Sequence, residues 1–267
     1  MKCFYHGDLD GKCAGFWVKE KYSECEMNEI NYNQEFTLPR IEEDEKIFIV
    51  DFSIDPEEMQ ELLRRTKNVI WIDHHISAIK KYKDFPFEIK GIRKDGTAGC
   101  VLTYNYLYPD AELNMMTVYI GDWDTWTFKY GEDTEYFKMG MESHLTSPDS
   151  KIWSEALRNT GKIIEEGKII NRYKKVYYQE YIDNYGFEVE FECHKCIACN
   201  AGKASSKLFD SLNKNYDIMM PFVFDGEQYT VSLYSKKVDV SKVAEKYGGG
   251  GHTGAAGFIC DELPFLK

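Results

Sequence analysis

The sequence has no run approaching the ~18 consecutive apolar residues that a membrane-spanning helix requires, so no membrane partner is expected. Its first residues, MKCFYHGDLDGK, lack the apolar core of a secretory signal, and a cytoplasmic location is expected. Positive charge is scarce: 33 Lys and Arg face 45 Asp and Glu, a net charge of −12. Such a chain repels long duplex DNA, and only a bound cation or a local basic cluster could make one cleft attractive to a short nucleotide. Repeats, low-complexity tracts and a basic tail are absent, as are signs of an RNA-recognition sheet or an OB-type barrel. Processive attack on long strands is therefore not expected. What is present is a 43% hydrophobic fraction with 19 Tyr and 16 Phe, enough to fill a core and exclude global disorder. A length of 267 residues accommodates one large domain or two modest ones.

Eight cysteines without a secretory signal argue weakly for disulfides. The run from Cys193 through Cys196 to Cys199 has metal-like spacing, but no second cluster of ligands completes a zinc or iron–sulfur site. Small buried residues near a strand are the expectation there.

The first half alternates apolar runs with helical patterns. Lys2–Tyr5, Glu45–Phe52 and Asn68–Asp73 read as strands, and Cys13–Tyr22 and Gly96–Leu107 as helices, the latter capped near Thr97. Asp55-Pro56-Glu57-Glu58 starts another helix, with an Asp cap, Pro at the first position and Glu at the third. This order implies βαβ units and a mainly parallel sheet. From about Lys151 the pattern changes. Ile152–Tyr181 reads as one long connecting helix with room for a kink, followed by strand-like Phe187–Phe191, Ile218–Phe224 and Thr230–Tyr234 and helical patches at Ser205–Leu212 and Val240–Tyr247. The expected organisation is an α/β domain over 1–150, a helical linker over 151–185 and a smaller α/β domain over 186–267.

Four acidic sites share one context, each at or just past the end of an apolar run: His6-Gly7-Asp8-Leu9-Asp10-Gly11, then Asp51, then Asp73-His74-His75, then Asp122 and Asp124 after Met116–Gly121. Ligands bind at the carboxyl ends of strands in open parallel sheets, so if all four runs are strands the sites converge. Gathered carboxylates repel one another and lose hydration, and divalent cations are the usual remedy. Mixed His and Asp ligands suit manganese or a related ion, and a pair of cations can clamp the attacking and leaving oxygens of a phosphoryl displacement. Trp123 and Trp126 are expected to be core aromatics.

These motifs resemble those of the DHH phosphoesterases. The run Val238-Asp239-Val240-Ser241, then Tyr247-Gly248-Gly249-Gly250-Gly251-His252 and Ala255-Ala256-Gly257-Phe258, resembles the companion DHHA1 domain. The resemblance implies a two-domain α/β enzyme with an interdomain cleft and two divalent ions, with Mn2+ the expected metal. It implies His6, Asp8 and Asp51 around one ion, and Asp10, Asp51, His74 and Asp122 around the other, with Asp51 shared; Asp124 is the alternative to Asp122. Asp73 would support the ligands, His74 would ligate, and His75 would contact the scissile phosphate, with water as nucleophile. Gly249, Gly250, Gly251 and His252 would bind an anionic part of the substrate. Many relatives place an Arg in the strand before the glycine run; here Tyr234, Ser235 and Lys236 are expected to take its place, and Arg93 could add positive charge.

The function implied is a manganese-dependent phosphodiesterase acting on short oligonucleotides, as in the oligoribonuclease (nano-RNase) branch, with 3′-phosphoadenosine 5′-phosphate as an accompanying substrate. A linear or cyclic dinucleotide phosphodiesterase and a pyrophosphatase or polyphosphatase are the rival hydrolases. A catalytically silent nucleotide-binding module is the rival of another class, and it predicts a broken ligand set. The oligomeric state is open, a homodimer among the options.

Overall fold

A computed structural model describes every residue except 33–35, 37–39, 203, 211, 213, 214 and 267. The chain divides into two compact units, Met1–Asn171 and Arg172–Lys267.

The first unit is built on strands β1 (Lys2–His6), β2 (Glu26–Ile30), β3 (Ile47–Val50) and β4 (Val69–Ile72), all parallel, in the order β2-β1-β3-β4. Every residue of IFIV and VIWI is buried, as expected of parallel strands covered on both faces. Their side chains alternate between two cores. Phe48, Val50, Ile70 and Ile72 join one cluster, while Ile47, Ile49, Val69 and Trp71 join another on the opposite face. The first cluster includes helices α1 (Leu9–Lys21) and α4 (Gly99–Leu107); the second includes α2 (Pro56–Arg65), whose entry is fixed by Glu58 accepting from the Asp55 amide at 3.0 Å. A short helix, α3 (Ile76–Lys81), follows the DHH segment.

The run Met116–Gly121 is not a strand. It lies in helix α5 (Met115–Asp124), whose start is capped by Asn114 accepting from the Thr117 amide at 3.0 Å. A short apolar run cannot by itself distinguish a buried strand from a buried helix, and the cap decides it here. Helices α6 (Glu132–Glu142) and α7 (Ile152–Arg158) complete the unit, and α8 (Thr160–Tyr185) contains the division after Asn171. The single connecting helix is thus two. Asn159 leaves helical geometry at φ −151° and ψ 76°, and its side chain accepts the Lys162 amide at 3.1 Å to start the next helix.

The second unit holds a six-stranded sheet ordered β5-β6-β7-β8-β10-β9: β5 (Gly186–Phe191), β6 (His194–Asn200), β7 (Ile218–Phe224), β8 (Tyr229–Tyr234), β9 (Gly250–His252) and β10 (Ala255–Cys260). Only β6 and β7 pair in parallel; the other neighbours are antiparallel. Between β5 and β6, Glu192 and Cys193 both take positive φ, the turn a two-residue hairpin needs. Cys196 and Cys199 are buried in β6, Cys193 is exposed, and all three are free. Helix α9 (Val240–Glu245) packs into the unit's core through Val240, Val243 and Ala244. The patch expected over Ser205–Leu212 is a single 3-10 turn, Ser206–Phe209, and its residue 211 lies outside the described residues.

Candidate metal centre

The carboxyl ends of β1, β3 and β4 and the facing ends of two helices bring the ligand candidates together. His6 ends β1, and Asp8 caps α1, accepting the Gly11 amide at 2.9 Å. A side chain at Gly11 would stand 2.3 Å from the His6 carbonyl, so only glycine permits this close turn. Asp10 reaches across to α4, where its two oxygens accept the Gly99 and Cys100 amides at 2.7 and 2.9 Å. Asp10, not Thr97, therefore caps α4, with its charge at the favourable end of the helix dipole. Asp51 follows β3 in the left-handed region, at φ 53°. Gly99 lies against it, and a Cβ there would meet the Asp51 side chain at 2.6 Å.

Three groups of candidate ligands result, each with its ligand atoms within 4.8 Å of one another: His6, Asp8 and Asp51; Asp10, His74 and Asp124; and Asp51, His74 and His75. Asp51 links them. Its Oδ2 lies 3.7 Å from His6 Nδ1 and its Oδ1 3.1 Å from His74 Nε2, while His6 Nδ1 stands 3.0 Å from Asp8 and His74 Nε2 3.5 Å from Asp124.

The electrostatics are those of a site short of positive charge. Burial, then Asp51 and Asp124, push Asp10 well above the carboxylate range; burial pushes Asp51 up to about 7 and also raises Asp124. The neighbouring carboxylates of Asp51 and then Asp8 raise His6 to about 10. Asp8 is held low: burial opposes ionisation, but His6 and the Gly11 amide outweigh it. Among the described residues, both Asp51 oxygens and Asp124 Oδ2 are buried without a hydrogen-bond donor. Buried, unsatisfied carboxylate oxygens beside imidazoles fit divalent cations, which would supply the missing charge.

Asp73 is wholly buried, and its Oδ1 accepts the amides of His74 and His75 at 2.7 and 3.1 Å and meets His75 Nδ1 at 2.8 Å. The His75 imidazole is raised, chiefly by that bond to Asp73. Asp73 thus sets the direction of both imidazole-bearing residues.

The preference for Asp122 over Asp124 is reversed. Asp122 turns away and organises the following loop, accepting from the hydroxyls of Thr127 and Thr134 and from the Lys129 and Tyr130 amides at 2.9 and 3.4 Å. Burial opposes its ionisation, but those bonds hold it below the usual range. The loop is tightly wound, with Trp126 and Phe128 at positive φ. Trp126 is 66% exposed, so the expectation of a core residue fails there.

Two proposed substrate contacts are engaged elsewhere. The Arg93 guanidinium donates to the carbonyls of Trp71, Lys90 and Ile89 at 2.9–3.1 Å, bracing the segment that pairs beside β4. The Ser235 hydroxyl donates to the Asp217 carbonyl at 2.7 Å and accepts the Lys237 and Val238 amides. Lys236 and His252 are exposed in the second unit. Gly250, Gly251 and His252 form β9, not an open loop, and a Cβ at Gly249 would strike the Gly257 carbonyl at 2.1 Å.

Residues 197–264 match the DHHA1 domain. The chain is 25% identical over 255 residues to the uncharacterized protein R106 of Acanthamoeba polyphaga mimivirus, covering 89% of this chain and 59% of the viral protein's length. It is 23% identical over 299 residues to the oligoribonuclease NrnB of Bacillus subtilis, covering 97% of this chain and 73% of that protein. Among solved structures, the pGpG-specific phosphodiesterase PggH of Vibrio cholerae shares the fold, with a TM-score of 0.53 at 12% identity over 97% of this chain and 93% of that one.

Proposed function

We propose that this chain, which belongs to the DHH/DHHA1 family, is a metal-dependent phosphodiesterase that hydrolyses short oligonucleotides of the nano-RNA type. The observation that carries the reading is the pair of ligand groups, His6/Asp8/Asp51 and Asp10/His74/Asp124, meeting at Asp51 with His75 beside them. A nucleotide-binding module without chemistry would not need two adjoining groups of ligand-capable side chains, which supports the hydrolase reading over it.

When bound, two divalent cations would neutralise the carboxylates and activate water for attack on phosphorus. The protein's own residues do the rest. Asp51 would hold both ions, and the α4 amides would keep Asp10 aimed at its ion. Asp73 fixes the His75 ring, so that its free Nε2 can donate to a phosphoryl oxygen while charge builds there. In the second unit, Lys236 and His252 would bind an anionic group of the substrate, while the Gly249 amide is spent on the Ala244 carbonyl. Manganese suits the mixed His and Asp donors best.

Purified protein with Mn2+ should be assayed on RNA and DNA from dinucleotides to decanucleotides, on cyclic dinucleotides, on 3′-phosphoadenosine 5′-phosphate and on pyrophosphate. Turnover falling steeply with length, and strongest on linear di- to tetranucleotides, is expected. Preference for a cyclic dinucleotide or for pyrophosphate would replace this substrate with that one.

A further inference from the structure

Tyr32, two residues past β2, stands beside the cluster without offering it a ligand. Its ring packs on Phe52 at 4.6 Å between centroids, meets His6 edge-on at 5.4 Å and lies 5.8 Å from the His75 ring. Ser53 adjoins its hydroxyl, so the segment directly after Asp51 flanks the ring. Yet Tyr32 is 53% exposed, whereas the Phe52 ring supporting it is 3% exposed. An aromatic backed by a buried ring and itself more than half exposed is built to receive a second flat group.

On a nucleotide chain, the groups next to the phosphate at His75 are a sugar and its base. We propose that Tyr32 forms a nucleobase subsite, stacking on the base of a nucleotide that adjoins the scissile phosphate. The proposal rests on the phosphodiesterase reading above and adds a requirement to it. Every base presents a π-face, so the subsite demands a base without selecting which one.

The test compares diadenylate with two analogues, one abasic at the 5′ residue and one at the 3′ residue, in wild-type protein and in Tyr32→Phe and Tyr32→Leu variants. In the wild type, kcat/KM should favour the base-bearing substrate over one of the abasic analogues by about 5- to 150-fold, the range of base–aromatic stacking. Tyr32→Phe should keep that ratio and Tyr32→Leu should bring it near one, and replacing adenine by uracil or guanine should change little. A dinucleotide carrying 2-aminopurine gives a readout independent of turnover: its fluorescence should be quenched on binding wild-type or Tyr32→Phe protein and not on binding Tyr32→Leu. Tyr32→Gln repeats the comparison should the Leu variant melt early. If Tyr32→Leu slows base-bearing and abasic substrates alike, or quenching persists in it, the ring only shapes the cluster and the subsite is overturned, while the phosphodiesterase reading stands. If the wild type cleaves no dinucleotide at all, that reading fails and the subsite falls with it.

Discussion

Asp122 and Asp124 lie two positions apart on a helix, so their side chains leave the axis about 200° from one another and only one can face the cluster. On a strand the same spacing would put both on one face, which is why an apolar run taken for a strand leaves the choice open. The two residues should fail differently. Asp124→Asn should weaken Mn2+ binding and kcat/KM by at least about 100-fold, the upper end of what losing even a supporting residue costs, with little change in melting temperature. Asp122→Ala should lower stability by roughly 2–4 kcal/mol, since hydrogen bonds to a charged group contribute about 1.5–3 kcal/mol each and do not add fully. Manganese titration alongside urea unfolding separates them, and equal effects on both readouts would contradict the assignment. His75 is a third case. It is held by Asp73 and belongs to only one of the three ligand groups, so His75→Ala should lower kcat far more than Mn2+ affinity.

At the scale of elements, β3 and β4 are legible because both faces are buried and the residues read as unbroken apolar runs. Strand β2 is not legible, because EMNEI is an edge strand with one buried residue. Strand β6 escapes because its hairpin turns on Glu192-Cys193, neither of them the Asn or Gly that usually marks such a turn. The three strand-end ligand motifs were legible for the same reason as their strands. The internal engagements of Arg93 and Ser235 depend on backbone carbonyls and amides that no residue pattern announces. Helix α4 offers a test of how tightly element and site are joined. Alanine is a better helix former than glycine by about 1 kcal/mol, so Gly99→Ala favours the isolated helix. Its methyl would nevertheless sit 2.6 Å from the Asp51 side chain. The variant should bind Mn2+ more weakly, measured by calorimetric titration; undiminished affinity would mean that Asp51 has freedom to move.

For the whole molecule, the cluster links stability to pH and to cations. An acid whose folded-state value is raised destabilises the fold as it ionises, so Asp51, at about 7, costs stability as pH climbs from about 4 to 7. A base whose value is raised contributes fully below its unfolded value and loses that contribution as pH climbs through the folded one. His6, at about 10, therefore acts in the same direction between about pH 6.5 and 10. Chelated protein should melt at a lower temperature at about pH 8.5 than at about pH 5.5, and Mn2+ should raise the melting point most at the higher pH, where fewer protons must leave its ligands. A chelated protein equally stable at both values would mean the carboxylates are better satisfied than their burial implies.

Whether Asp51 joins two cation sites is tested directly by the electron paramagnetic resonance of Mn2+ bound to the whole chain. Two ions per chain with a spin-coupled spectrum, replaced in Asp51→Asn by weaker, uncoupled binding, is the predicted result. A single ion, or two that never couple, would contradict it.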